Sequence, residues 1–599
     1  MRSNTVQLTL RRVGAVLVSV IVLLYAAGIY SAFSPVVLVL GIICLAFSFA
    51  PRRELVTQKG NTQSRFWLDI LILLLLLLGF GFLYLYKIYT VPWQINTDEV
   101  TIMTVAQKIV EAPSVDLFGL SYYFGFPSLI FFVFGKLSFY LGGIDLFHFR
   151  VVHALFGVGS VLLFYLLCRQ FFGKLKSVTF AVLLATNHAL FAISRMAMRD
   201  NTGLFLELLA LLCLVYGFKR RQILSTFFGG VAAGLGFYTY FPGRIIIVIW
   251  GLVLFLSLLL YWTKKHWQFI FAHGAVLALG FFSIAGPVLV ATVKQSDEAF
   301  GYQKQQFLLY PEGRSLEQVW TGAPTPQEAW KVNIHNGLAT FNKPLHDEGY
   351  IYPNFGNGFV DQYSGILVWI GLAICVGRII TRNQTLGDVI AAVGFVTLFL
   401  SFAFLITKAP NYTRLLVILP FSMYCSGEAL WSVFGAMLST IFRQGVRRLV
   451  FGLTSLLVTL CVGVIIYANA QMFLEFVSVA QADGNDVGST ARFVSSRQYR
   501  AGHEWVLAAS KRYMYYSWGE SWQWETWLGF FVGDGQRVQV DEPVAVLRRK
   551  YSRSTTILTS KAAWVAYEQE FKKHNTVFAL KNVTPDGRLL AVEVEGVGR

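Results

Sequence analysis

Long apolar runs joined by short polar connections dominate the chain from residue 11 to about residue 469. Runs of about 17–25 apolar residues are long enough to cross a bilayer as helices. They fall at 11–31, 33–50, 67–89, 149–172, 178–194, 202–218, 224–241, 244–262, 267–293, 364–380, 387–406, 413–435 and 447–469. The pattern predicts about thirteen crossings. One further apolar segment, "FPSLIFFVFGKLSFYLGG" (126–143), starts with Pro127, carries Lys136 and ends in Gly-Gly, and it reads as a helix lying at the interface. Beyond about residue 480 the pattern shortens. "KRYMYYSW", "RVQVDEP" and "TTILTS" read as strands, "KAAWVAYEQEFKKH" as an amphipathic helix, and "TVFALKNVTPDGRLLAVEVEG" as a hairpin turning at Pro585-Asp586-Gly587. The expected fold is a polytopic α-helical membrane protein with a small α/β C-terminal domain. Its parts are a two-span hairpin and cytoplasmic loop (1–66), a transmembrane core (67–470) with outer loops 90–148 and 294–363, and the α/β domain (471–599).

Composition narrows the class. With 55% hydrophobic and 14% charged residues among 599, and a mean hydropathy of +0.56, the chain is not an ordinary soluble globular protein. A hydrophobicity that recurs so far along the chain is not that of a cleaved signal peptide alone, so the first span is expected to stay. The six cysteines all lie in apolar runs, so no disulfide framework and no CxxC metal site is written here. The formal charge of +17 first serves orientation, and no nucleic-acid partner is inferred. With the N-terminus inside, the connections "APRRELVTQKGNTQSR", "FGKLKS", "FKRRQ", "WTKKHW", "GRIITRNQ" and "FRQGVRR" are all cytoplasmic and all basic. Counting 126–143 as a span would invert every later loop.

That topology gathers particular residues at the outer span ends. Asp98 and Glu99 follow the third span, Asp200 follows "RMAMR", and Arg195, Arg199, Arg244 and Arg414 sit at short outer turns. Paired acids at a loop start can be plain solvated surface. Four arginines on the side where basic residues are disfavoured point instead to an anion site. Glu207, seven residues after Asp200, lies on nearly the same helical face, either as a buried polar partner or as part of the same cavity. The glycines of "GGVAAGLG" fall inside a span and suit helix packing rather than phosphate cradling. His153, His188 and His335 read as packing or interfacial residues. The sequons at Asn383, Asn411 and Asn582 read as chance.

Taken together, these segments resemble the membrane glycosyltransferases of the GT-C class, specifically the protein O-mannosyltransferase and aminoarabinose transferase family. The resemblance rests on Asp98-Glu99 in the first outer loop and on "SRMAMRDNTGLFLELLALLCLVYGFKR" with Asp200. It rests also on "FRVVHALFGVGSVLLFYLLCRQFFG", "GVAAGLGFYTYFPGR", "GFVDQYSGILVWIGLA" and "APNYTRLLVILP". It covers roughly residues 67–435.

The resemblance implies an inverting transfer of a sugar from a polyprenyl-phosphate carrier to a lipid, glycan or protein acceptor at the outer face of a bacterial cytoplasmic membrane. It assigns Asp98 as the base that takes the acceptor proton, with Glu99 beside it. Arg414, Arg199, Arg244 and Arg195 become candidates for the donor phosphate. Asp200 is left to hold a metal, orient an arginine or contact the sugar. With two carboxylate loci and no clustered histidines, a metal-independent reaction with no cofactor is expected. The alternatives are a secondary transporter or flippase of glycolipids, and a ligase or polymerase of the O-antigen type that uses a lipid diphosphate donor. Transporter sites lie near mid-membrane in repeated halves, whereas the polar chemistry here concentrates at outer span ends.

Overall fold

The computed structural model describes residues 2–29, 31, 33–49, 62–92, 95, 97–112, 114–121, 125–260, 264–341, 358–442, 447–482, 490, 493–494, 503–508, 531, 537–583, 587 and 589–594. Contacts divide the chain into two units. The first comprises Met1–Tyr86, Ile109–Gly143 and His148–Phe476, the second Lys87–Lys108, Ile144–Phe147 and Val477–Arg599. The predicted outer loop 90–148 is thus shared between them.

The helices of the first unit are α1 (Arg2–Ala26), α2 (Ser34–Ser48), α3 (Thr62–Leu85), α5 (Ser128–Leu141), α6 (Leu146–Cys168), α7 (Lys174–Thr186), α8 (His188–Ser194), α9 (Asp200–Arg220), α10 (Ile223–Gly236), α11 (Ile246–Leu260) and α12 (Lys264–Lys294). Three shorter helices follow in the predicted outer loop, α13 (Ser296–Gln306), α14 (Pro311–Thr321) and α15 (Pro326–Ala339). Then come α16 (Gln362–Ile380), α17 (Leu386–Phe399), α18 (Tyr412–Leu415), α19 (Leu419–Ile441) and α20 (Arg447–Ala482), whose last residues pass into the second unit. Helix is the form an apolar run must take in lipid, because only it pairs each backbone amide within the segment.

Among the described residues ten helices are long and apolar enough to cross a membrane, or eleven if α7 and α8, bent by 61°, count as one. Helix occupies all thirteen predicted segments. Two of them, α2 with 15 residues and α10 with 14, are short for a full crossing, so the structure does not establish thirteen crossings. The break between α7 and α8 has a local cause: the Asn187 side chain caps α8 by accepting from the Leu190 amide at 3.1 Å. Segment 126–143 is a 14-residue apolar helix, α5.

The glycines of "GGVAAGLG" pack α10 against α12. A Cβ on Gly230 would collide with the Leu277 carbonyl, and one on Gly280 with that of Phe227. Basic residues of the predicted cytoplasmic connections also pair with acids on the spans. Arg378 reaches Asp388 at 3.1 Å and Glu428 at 3.0 Å, and Lys176 meets Glu428 at 2.6 Å, with both acids fully buried. Arg169 binds Asp69 through Nε at 2.9 Å. These pairs tie helices together.

In the second unit, α4 (Thr97–Glu111) is largely buried along its length, including Val100, Ile102, Met103, Val105 and Ala106. The tail forms a five-stranded sheet of β1 (Glu504–Ala508), β2 (Arg537–Asp541), β3 (Thr555–Ser560), β4 (Val577–Asn582) and β5 (Leu589–Val594), in the order β2-β1-β3-β5-β4. β1 is parallel to β2 and β3, while β5 is antiparallel to β3 and β4. The helices α21 (Pro543–Leu547) and α22 (Lys561–His574) pack on it around Val506, Leu547, Ile557, Trp564, Phe571 and Val592. Predicted strands "RVQVDEP" and "TTILTS", the helix and the terminal hairpin are all present. "KRYMYYSW" lies outside the described residues, and β1 was not anticipated.

Candidate active site

The stretch "RMAMRDN" connects α8 to α9 and is buried throughout. Arg199 precedes the first turn of α9 and Asp200 opens it, where the positive end of the helix dipole favours an acid. The Arg199 guanidinium lies 4.5 Å from the ring centre of Phe126 and 4.6 Å from that of Tyr240. Held between two aromatic faces, its charge gains about 2 kcal/mol where water is excluded. Tyr240, at the turn after α10, meets a second arginine through its hydroxyl, which accepts from Arg414 Nε at 3.2 Å. Arg414 Nη1 donates to the Thr407 carbonyl at 3.3 Å, and Nη2 donates to Gln306 Oε1. Tyr240 thus joins the two arginines, one on its ring face and one at its oxygen, and the charge of Asp200 is also felt there. Next to Asp200, Asn201 Oδ1 and Thr202 Oγ1 are buried without a hydrogen-bond partner among the described residues, as expected where a polar ligand completes the set.

The segment from α13 to α15 holds Arg414 and its neighbours in place. Residues 306–308 run antiparallel to 405–407, with Leu308 N donating to Leu405 O at 2.8 Å and Thr407 N to Gln306 O at 2.9 Å. Asn333, fully buried on α15, donates to Phe404 O at 2.9 Å and accepts from Ala409 N at 3.1 Å. Glu317 on α14 accepts from Lys408 N at 2.6 Å. Burial pushes the Glu317 carboxyl up to about 7, against the opposing charges of Lys408 and Arg414. Asn411 caps α18 by accepting from Arg414 N at 3.3 Å, which accounts for an asparagine at that sequon.

The structure brings Arg199, Asp200 and Arg414 together. The other two arginine candidates have different surroundings. Arg195 caps the end of α3, donating to the carbonyls of Leu83 at 2.7 Å, Tyr84 at 2.9 Å and Tyr86 at 2.5 Å. Arg244, half-buried in the 3₁₀ turn Phe241–Ile245, lies 5.7 Å from the Phe237 ring centre. Asp98 and Glu99 occupy the first turn of α4, and Glu99 is fully buried while Asp98 is half-buried. Glu207 is buried with both oxygens lacking a partner among the described residues. Sequence reasoning missed Tyr240, Phe126, Gln306, Glu317 and Arg150. Arg150 is fully buried within an apolar run, and an ionisable residue in such a run was a signal in itself. Among the described residues no group of three or more His, Cys, Asp or Glu is placed to hold a metal.

The chain thus has a multi-helix core with cationic and acidic groups gathered at helix ends, and an α/β tail. A family model described as dolichyl-phosphate-mannose-protein mannosyltransferase matches residues 127–289. The structure of ArnT from Cupriavidus metallidurans bound to undecaprenyl phosphate superposes with a TM-score of 0.50 at 12% identity, covering 89% of this chain and 98% of that one. An Archaeoglobus fulgidus oligosaccharyltransferase tethered with an acceptor peptide is similar at 0.49 and 14% identity, covering 88% of this chain and 74% of that one. The Saccharomyces cerevisiae protein O-mannosyltransferase Pmt1-Pmt2 complex bound to the sugar donor gives 0.31 and 17%, over 42% and 36%. No curated protein matches the sequence. In sequence over 127–289, and in fold over most of its length, the chain resembles membrane glycosyltransferases of the mannosyltransferase and ArnT type.

Proposed function

We propose that the chain is an inverting glycosyltransferase that moves a sugar from a polyprenyl-phosphate carrier to a lipid, glycan or protein acceptor at the outer face of a cytoplasmic membrane. One observation carries this reading: Arg199, just before α9 and next to Asp200, and Arg414, far apart in sequence, meet on Tyr240. A lipid phosphate is the ligand that paired guanidinium groups at an outer span end suit, and the ArnT structure of the same fold holds undecaprenyl phosphate.

In the reaction an acceptor hydroxyl oxygen bonds to the anomeric carbon as the bond to the phosphate oxygen breaks. The electron pair leaves with the phosphate, and its growing charge is stabilised by the arginines. Because Arg414 is already fixed by Tyr240, Thr407 and Gln306, its charge needs no reorganisation when that happens. Asp200 is left by the resemblance to orient an arginine, contact the sugar or hold a metal. By the resemblance, Asp98 takes the proton that the acceptor loses, with Glu99 as its neighbour.

The test is release of lipid phosphate. Purified protein in lipid nanodiscs, given synthetic undecaprenyl-phosphate hexoses and a cell-envelope extract, should release free undecaprenyl phosphate and form a glycoside of inverted configuration. Transport of the intact donor without cleavage, or a requirement for a diphosphate donor, would overturn the proposal.

A further inference from the structure

A cavity of about 530 Å³ lies between the outer end of α1, the hairpin around residues 114–128 and the outer end of α12. Its size falls in the range of small-molecule sites, about 300–1,000 Å³. Its floor includes buried Tyr25 and Ser128, and exposed Ser114, Lys294 and Gln295 stand at its rim. The polar groups are fixed in place. Asp116 accepts from the Tyr25 hydroxyl at 2.6 Å and from Phe118 N at 3.0 Å, and Lys294 Nζ donates to the Tyr25 carbonyl at 3.1 Å. A carboxylate offers about four lone-pair sites and an ammonium three donors, so each has capacity beyond these bonds.

Carboxylate, ammonium, phenol, amide and hydroxyl groups within one cavity, with the charges balanced one against one, suit a neutral polyhydroxylated ligand. They do not suit an anion, which Asp116 would repel. The same hairpin carries Phe126, the ring on which Arg199 stacks. Its two sides are joined by Ser121 N to Phe126 O at 2.7 Å and Ser128 N to Gly119 O at 2.9 Å. The cavity residues Asp116, Gly119 and Ser128 and the ring that Arg199 stacks on therefore belong to one hairpin. Apart from Ser128, the groups named here fall outside residues 127–289, the part that matches the family model.

Resting on the glycosyl-transfer reading above, we propose that this cavity binds the carbohydrate headgroup of the acceptor. α1 and the 114–126 segment then set acceptor choice, and the arginine cluster serves the donor. The sugar can come from a membrane glycolipid or from a free glycan, and both present the same hydroxyl array.

The test uses the full chain in nanodiscs with Ser114→Trp, which fills the cavity from an exposed position, and Asp116→Asn, which weakens its hydrogen bonding. A fixed undecaprenyl-phosphate hexose is the donor. Glycolipids extracted from the cell envelope form one acceptor arm, and the oligosaccharides released from them form the other. Both variants should raise the acceptor KM about tenfold, the loss of one or two hydrogen bonds, with no matching change in donor KM. An effect in the glycolipid arm alone identifies a lipid-borne sugar, and an effect in both identifies the sugar itself. Equal acceptor KM in wild type and both folded variants overturns the assignment, as does displacement of a bound phospholipid with acceptor use untouched. If the wild type cleaves no donor, the glycosyl-transfer reading fails instead. Glycolipid binding followed by native mass spectrometry then decides the cavity separately: wild type should retain the glycolipid and Ser114→Trp should not, and equal retention overturns the assignment.

Discussion

Glu317 should make the docking of α14 depend on pH. Its carboxyl is 1% exposed, with one oxygen bound to Lys408 N at 2.6 Å and the other without a partner among the described residues. Burial outweighs the neighbouring positive charges and raises it from 4.5 to about 7. Between those values the docked form holds a proton that the released form has lost, so docking weakens as pH rises through this window and the cost levels off above about 7. The full difference is about 3 kcal/mol, roughly 300-fold in the docking equilibrium. Glu317→Gln removes the titration while its side-chain carbonyl can still accept from Lys408 N. Hydrogen exchange of the 311–321 amides, followed by mass spectrometry, reads the opening directly. At pH 8 exchange in the variant should be slower than in wild type by up to roughly 300-fold, and at pH 5 the two should nearly coincide. A ratio that stays the same at both pH values, or faster exchange in the variant at pH 8, would refute the reasoning.

Three further outcomes are expected. Asp98→Asn keeps size and removes proton acceptance, so single-turnover transfer should fall at least about 10²-fold while donor binding survives; near-normal turnover would remove Asp98 from the chemistry. Arg414→Ala loses charge and the contacts to Tyr240, Thr407 and Gln306, so donor kcat/KM should fall roughly 30-fold. Arg414→Lys should recover only part, because an ammonium lacks the planar fork, and unchanged donor kinetics in folded Arg414→Ala would remove it from the site. For sidedness, an impermeant thiol reagent should label Val319→Cys on α14, 81% exposed, in intact cells and spare Arg221→Cys in "FKRRQ"; the reverse would invert the topology.

Local pattern determined the elements. Apolar length alone placed helix at every predicted span, alternation with turn residues placed β3 and the β4–β5 hairpin, and an amphipathic pattern placed α22, because those signals are carried by each segment itself. The glycines of α10 were legible for the same reason. The tertiary structure decided which charged residues meet. Four outer arginines looked alike in sequence, yet Arg195 is bound to the carbonyls that end α3, and only Arg199 and Arg414 meet at Tyr240. Glu317 and Asn333 gave no signal, since their partners Lys408 and Ala409 lie 91 and 76 residues away. A hydrogen bond or a raised carboxyl pKa depends on which distant atoms share its surroundings, and periodicity along the chain does not encode that.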